Sequence, residues 1–144
     1  MKQVFIILSL FVVTTVRSYA ADPNVSASIE RAFKSTFFKA ENVSWATEKD
    51  FTVASFTIAG KKQIAYYNQM AELVVVAEPL TLRQLPISLE EGLADNFSDC
   101  TPIELYKMKN DEGVRYYAVL ISAKEKLFVS WNGGEWQIAK STKK

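Results

Sequence analysis

An apolar stripe with a period of four occurs twice in this chain, sixty residues apart, and it restricts the fold more than any other feature. Ile29, Phe33 and Phe37 make the first copy, and Leu89, Leu93 and Phe97 the second. Side chains at i, i+4 and i+8 line one face of a helix. The offset of sixty persists beyond the helices, where Val43 and Trp45 match Ile103 and Leu105. Ser88 and Glu91 have the spacing of a capping box, which predicts that the second helix starts there and runs over Leu89 to Phe97. Asn24 or Ser26 caps the first, which is expected to run to about Phe37.

Alternating apolar segments follow each helix. They predict strands at 42–48, 51–59, 63–68 and 73–76, and again at 102–109, 114–122, 127–131 and 135–139. The turns between them are Lys49-Asp50, Gly60-Lys61-Lys62, Asn110-Asp111-Glu112-Gly113, Ala123-Lys124-Glu125 and Asn132-Gly133-Gly134. Successive hairpins demand antiparallel pairing, and each helix must cover a sheet face to bury its own stripe. The fold class is therefore α+β, a tandem α-β-β-β-β repeat with one helix per half. The halves run from about 24 to 80 and from about 81 to 139, and a frayed basic tail is expected at 140–144.

The repeat also assigns sheet faces. Ala54, Phe56 and Ile58 align with Arg115, Tyr117 and Val119, while Ala65 and Tyr67 align with Val129 and Trp131; these positions are expected beneath the helices. The opposite face then carries Ser55, Thr57, Ile64, Tyr66, Tyr106, Met108, Tyr116, Leu120, Phe128 and Ser130. A water-facing sheet alternates more cleanly than that. Tyr66, Tyr106, Tyr116 and Phe128 have the composition of a recognition surface, so they are the candidate binding residues. Packing of sheet on sheet, or a homodimer, would cover the same side chains.

Export is expected from the first twenty residues. Lys2 precedes the apolar run from Val4 to Val13, and Ser18-Tyr19-Ala20 makes a small-x-small cleavage site, which predicts a signal peptide at 1–20 cut after Ala20. The run falls short of the roughly 20 apolar residues needed to span a bilayer, and no later run replaces it. Cleavage removes Lys2 and Arg17 from 17 basic residues and none of the 16 acidic ones, leaving 15 against 16, a net charge near −1. That balance argues against nucleic acid as a partner. The 124 residues that remain of 144 suffice for one core or two small ones. Cys100 is the single cysteine, so no internal disulfide supports the fold, and it is expected as a buried small hydrophobe.

Catalytic chemistry has little to work with. The chain has no His, which removes the usual general base and the commonest metal ligand. One Cys without His makes no zinc set. Glu90 and Glu91 diverge by about 100° around a helix, and Glu91 is assigned to the capping box. Gly133-Gly134 joins two strands with no helix N-terminus to receive a phosphate. No catalytic residue, metal ligand or cofactor is assigned.

Several short motifs carry a resemblance. They are Ala32-Phe33 with Phe37, Asn42-Val43-Ser44-Trp45, Ala65-Tyr66-Tyr67-Asn68 followed by Glu72-Leu73-Val74, Leu85-Pro86-Ile87-Ser88-Leu89, and Tyr116-Tyr117. In this order and spacing they resemble the PepSY-like, β-lactamase-inhibitor-like domains of secreted Bacteroidetes-type proteins, over nearly all of the chain after residue 20. The resemblance implies a periplasmic or secreted protein with helices packed on antiparallel sheet, related in shape to inhibitors that grip an enzyme with a sheet surface. It implies no individual contact residue. Where the family commonly has a tight Asp-x-x-Gly-like turn, this chain has Asn68-Gln69-Met70-Ala71, and a looser turn is expected there.

Two readings of function follow. In the first, the chain is a non-catalytic binding module whose aromatic sheet face engages a protein or peptide. In the second it is a structural or self-assembling envelope protein, with that face buried in a homo-oligomer.

Overall fold

The computed structural model describes residues 25–143. The signal peptide and cleavage site predicted at 1–20 lie outside the described residues. Helix α1 (Ala27–Thr36) leads into β1 (Glu41–Glu48), β2 (Phe51–Ile58), β3 (Lys61–Tyr67) and β4 (Leu73–Pro79). A 3₁₀ turn (Leu82–Gln84) and helix α2 (Ile87–Asn96) follow, then β5 (Thr101–Asn110), β6 (Gly113–Ile121), β7 (Glu125–Trp131) and β8 (Trp136–Lys143). The α+β class and the α-β-β-β-β order repeated twice are as predicted. The eight strands are ordered β1 to β8 in the sheet, each beside its neighbour in sequence, so β1 and β8 are its edges. The chain divides into two compact units between Val76 and Ala77, within β4.

In the first unit, Ser26 caps α1 by accepting a hydrogen bond from the Ile29 N–H at 3.3 Å. Ile29 and Phe33 then bury against Ala54, Phe56, Ala65 and Tyr67, with Phe37 and Trp45 alongside. The stripe and the helix-facing side of β2 and β3 are those the alternation predicted. The Asn68–Ala71 turn, expected to be loose, is tightly closed. Asn68 Oδ1 accepts from the N–H groups of Met70 and Glu72, both at 3.0 Å, and its Nδ2 donates to Glu72 Oε2 at 2.7 Å. Ala71 absorbs the left-handed geometry at φ 62°. An Asx turn thus replaces the glycine turn.

Tyr67 is fully buried and its hydroxyl has no hydrogen-bond partner among the described residues. Burial pushes its pKa up to about 12. An unfolded tyrosine releases its proton near pH 10, so above that pH the unfolded chain has lost a proton that the folded chain keeps. Stability from this group therefore falls as pH rises from about 10 to about 12. Tyr67→Phe removes an unsatisfied hydroxyl, and we expect a change between zero and about 1 kcal/mol of stabilisation at neutral pH. Thermal melts from pH 8 to 11 should also show a shallower alkaline loss than in the parent.

In the second unit, Leu89 and Leu93 of α2 pack with Leu105, Ala118, Leu120, Leu127, Val129 and Trp136. Two expectations fail here. Pro86, not Ser88, is the N-cap; its carbonyl accepts from Leu89 and Glu90, which places Ser88 inside the first turn. A capping box forms instead one turn earlier, where Thr81 N–H donates to Gln84 Oε1 at 2.8 Å. The faces of β6 are also inverted. Tyr116, Ala118 and Leu120 meet the helix-side core, whereas Arg115, Tyr117 and Val119 were expected there. The cause is hairpin length. The β1–β2 ladder closes at Glu48 opposite Phe51, with Trp45 opposite Ala54; β5–β6 closes at Asn110 opposite Gly113, with Leu105 opposite Ala118. Each arm is two residues longer, so the offset grows from sixty to sixty-four. An offset of sixty-one for β2 was odd by comparison, and an odd slip turns a strand over.

The frayed tail is likewise corrected. Residues 140–143 belong to β8, with Lys140 opposite Phe128 and Lys143 opposite Glu125.

Candidate functional site

The four aromatic residues singled out from the sequence do not form an open face. Tyr66, on the side of β3 turned away from α1, is 4 % exposed, and Phe128, on the side of β7 turned away from α2, is 1 % exposed. Both are covered within a single chain. Tyr106 is half-buried and donates its hydroxyl to Glu104 Oε2 at 3.0 Å. Tyr116, also half-buried, lies on the helix side for the reason given above. Val53, Met108, Tyr117 and Val119, on the same away-facing sides as Tyr66 and Phe128 in their own units, are buried too.

An apolar concavity does open elsewhere, in the first unit. It is a groove of about 440 Å³ between the C-terminal half of α1 and the edge strand β1. Phe33, Phe37 and Trp45 form its floor, Phe38 and Val43 its rim, and Glu30 and Lys34 flank it on the helix. The floor is rigid: Phe33 meets Phe37, Trp45 and Phe56 at ring-centroid distances of 5.3, 5.1 and 5.0 Å, the last two edge-to-face. Glu30 and Lys34 pair at 3.5 Å in the open.

Local sequence explains the rim. Helix α1 ends where the Phe37 N–H bonds the Phe33 carbonyl at 2.8 Å, and Ala40 N–H bonds the Phe37 carbonyl at 2.9 Å. In that tight turn Phe37 faces the core, leaving its neighbour Phe38 79 % exposed. Lys39 Nζ stands 5.6 Å from the Phe38 ring. A bulge follows in β1, where the register shifts between Glu41 and Ser44 and Asn42 takes φ 53°. Asn42 Nδ2 donates to Thr57 Oγ1, whose hydroxyl donates to the Glu41 carbonyl, both at 3.2 Å. The bulge re-aims Val43 into the groove.

The described residues of the second unit do not repeat this arrangement. Ser98 stands at the position that matches Phe38, and the outer side of β5 is already engaged, with Leu80 N–H donating to the Leu105 carbonyl at 2.8 Å. Cys100 is half-buried and free; burial, then the neighbouring Asp99 carboxylate, push its thiol pKa up, away from a thiolate. Among the described residues no group of three or more His, Cys, Asp or Glu could hold a metal, and no helix is long and apolar enough to cross a membrane.

The fold has solved counterparts. A BLIP-like protein from Bacteroides fragilis aligns with a TM-score of 0.69 at 13 % identity, covering 84 % of this chain and 87 % of that one. A DUF2874 family protein from Bacteroides ovatus gives 0.73 at 13 % identity, covering 84 % and 89 %. A protein inferred to be periplasmic, from Bacteroides eggerthii, gives 0.72 at 19 % identity, covering 84 % and 90 %. The chain thus has the BLIP-like fold that its motifs resembled. No family model and no curated protein matches it.

Proposed function

We propose that the chain is an exported, non-catalytic binding module that takes an extended segment of a protein along β1, with an apolar side chain seated in the groove beside it. The observation that carries this reading is the pairing of an open strand edge with a preformed aromatic pocket whose rim residue, Phe38, has no part in the core. Main-chain bonds to a strand edge supply affinity, and a pocket for alternate side chains supplies selection. The signal peptide read at 1–20 and a solved counterpart inferred to be periplasmic support export. An inhibitor-like role, which the likeness to a BLIP-like protein suggests, is one use of such a surface.

A displayed peptide library selected on the purified exported protein tests the reading, with Phe38→Asp as counter-selection. Phe38→Asp should leave the melting temperature within about 2 °C, since surface changes stay within about 0.5 kcal/mol. Selected peptides should alternate apolar residues, protect β1 amides from hydrogen exchange, and lose at least about tenfold in affinity for the variant, as expected when an aromatic contact is replaced by a charge. Peptides that bind the variant equally well, or that leave β1 unprotected, would overturn the proposal.

A further inference from the structure

The two edges of the sheet carry opposite charge. β1 holds Glu41 and Glu48 and no base, while β8 holds Lys140 and Lys143 and no acid. Each edge also exposes a large aliphatic side chain, Val43 at 38 % and Ile138 at 58 %. Val43 lines the groove on the helix side of its unit; Ile138 stands opposite Val129, a residue of the helix-side core of the other. Pairing β1 with β1, or β8 with β8, would bring like charges across the junction, whereas β1 with β8 brings unlike ones together. Charge thus selects among the three edge pairings.

Resting on the reading of β1 as a docking edge, we propose that the extended segment it takes is β8 of a second copy of this chain. The strands run antiparallel, with Glu41 opposite Lys140, Val43 opposite Ile138 and Trp45 opposite Trp136. All three pairs belong to one register. Directly opposed residues share a face, so Ile138 enters the groove side of β1.

The backbone agrees with this register. Asn132 N–H donates to the Glu135 carbonyl, so the next pair of that ladder, Trp131 with Trp136, is a non-hydrogen-bonded one, and the Trp136 N–H and C=O point outward. On β1 the two-residue turn closes on Glu48 and Phe51, and alternation from that bonded pair leaves the Trp45 backbone outward as well. Outward groups therefore face outward groups. The contact is head-to-tail and uses a different edge on each copy, so association continues past a dimer instead of closing on a two-fold axis.

Cysteine cross-linking on the exported protein tests this, with Cys100→Ser as background. One pool carries Val43→Cys and the other Ile138→Cys, both at exposed positions. Mild oxidation of the mixture should give a covalent dimer, and oxidation of either pool alone should not. Glu41→Lys in the first pool should cut the yield about tenfold, and Lys140→Glu in the second should restore it. A mixture that stays monomeric, or a Val43→Cys pool that cross-links with itself, would overturn the inference. If selected peptides protect β1 while the mixture stays monomeric, this inference falls and the binding-module reading stands; if neither occurs, both fall.

Discussion

Phe33→Ala should cost the protein about 3–5 kcal/mol, the range for truncating a buried phenylalanine. Phe33 is 4 % exposed and touches Phe37, Trp45 and Phe56 together, so its loss empties the junction between α1, β1 and β2. Two of the three contacts are edge-to-face, each adding roughly 0.5–1.5 kcal/mol beyond the area buried. Against a typical total of about 5–15 kcal/mol, that loss brings the first unit near unfolding. Urea titration checks it through the midpoint, with Phe33→Leu as a milder control that keeps most of the volume. Phe33 also floors the groove, so peptide affinity should fall further for Phe33→Leu than its small stability loss explains. A cost below about 1 kcal/mol for Phe33→Ala would mean that the aromatic cluster does not hold the unit together.

How much of this was legible depended on whether a feature was local. The stripes Ile29, Phe33, Phe37 and Leu89, Leu93, Phe97 could be read because helical periodicity is intrinsic to the sequence and each stripe does meet a core. Gly113 at φ 126° and Gly133 at φ 103° were readable as turns for the same reason. The inverted face of β6 was not, because nothing local distinguishes an arm of eight residues from one of ten. Only the cross-strand register, Leu105 opposite Ala118, shows the extension. The burial of Tyr66 and Phe128 was not legible, because composition alone does not tell an exposed aromatic side chain from a covered one. The groove was missed although a signal existed. In Phe37-Phe38 adjacent residues cannot share a face, so one aromatic ring was bound to stand outside the core. Lys140 and Lys143 looked like tail because charge suggests solvation, and charged side chains are also what an ordered edge strand carries.

Trp136→Ala should have the comparable effect in the second unit, about 3–5 kcal/mol. Trp136 is 6 % exposed, meets Trp131 edge-to-face at 5.7 Å, and donates its Nε1–H to the Leu89 carbonyl at 2.9 Å in a buried bond linking β8 to α2. Gly92 is what admits the indole. A Cβ on Gly92 would lie 3.1 Å from Trp136 Cδ1 and 3.4 Å from Nε1, so an added methyl must displace the ring by a few tenths of an ångström and strain its hydrogen bond. Gly92→Ala thus sets two effects against each other: about 1 kcal/mol gained in helix propensity, and the weakening of a buried hydrogen bond worth about 1 kcal/mol together with strain of about 1–3 kcal/mol from overpacking. The second should win, leaving a net destabilisation of about 1–3 kcal/mol. Trp136→Phe gives up the bond and part of the ring, and with it the steric conflict. In that background Gly92→Ala should therefore become neutral or stabilising. The double-mutant cycle reads this as a coupling energy of at least about 1 kcal/mol, opposite in sign to the single-mutant losses. Additive costs across the cycle would mean that Gly92 serves the helix alone, and that the approach of α2 to β8 is set by other side chains.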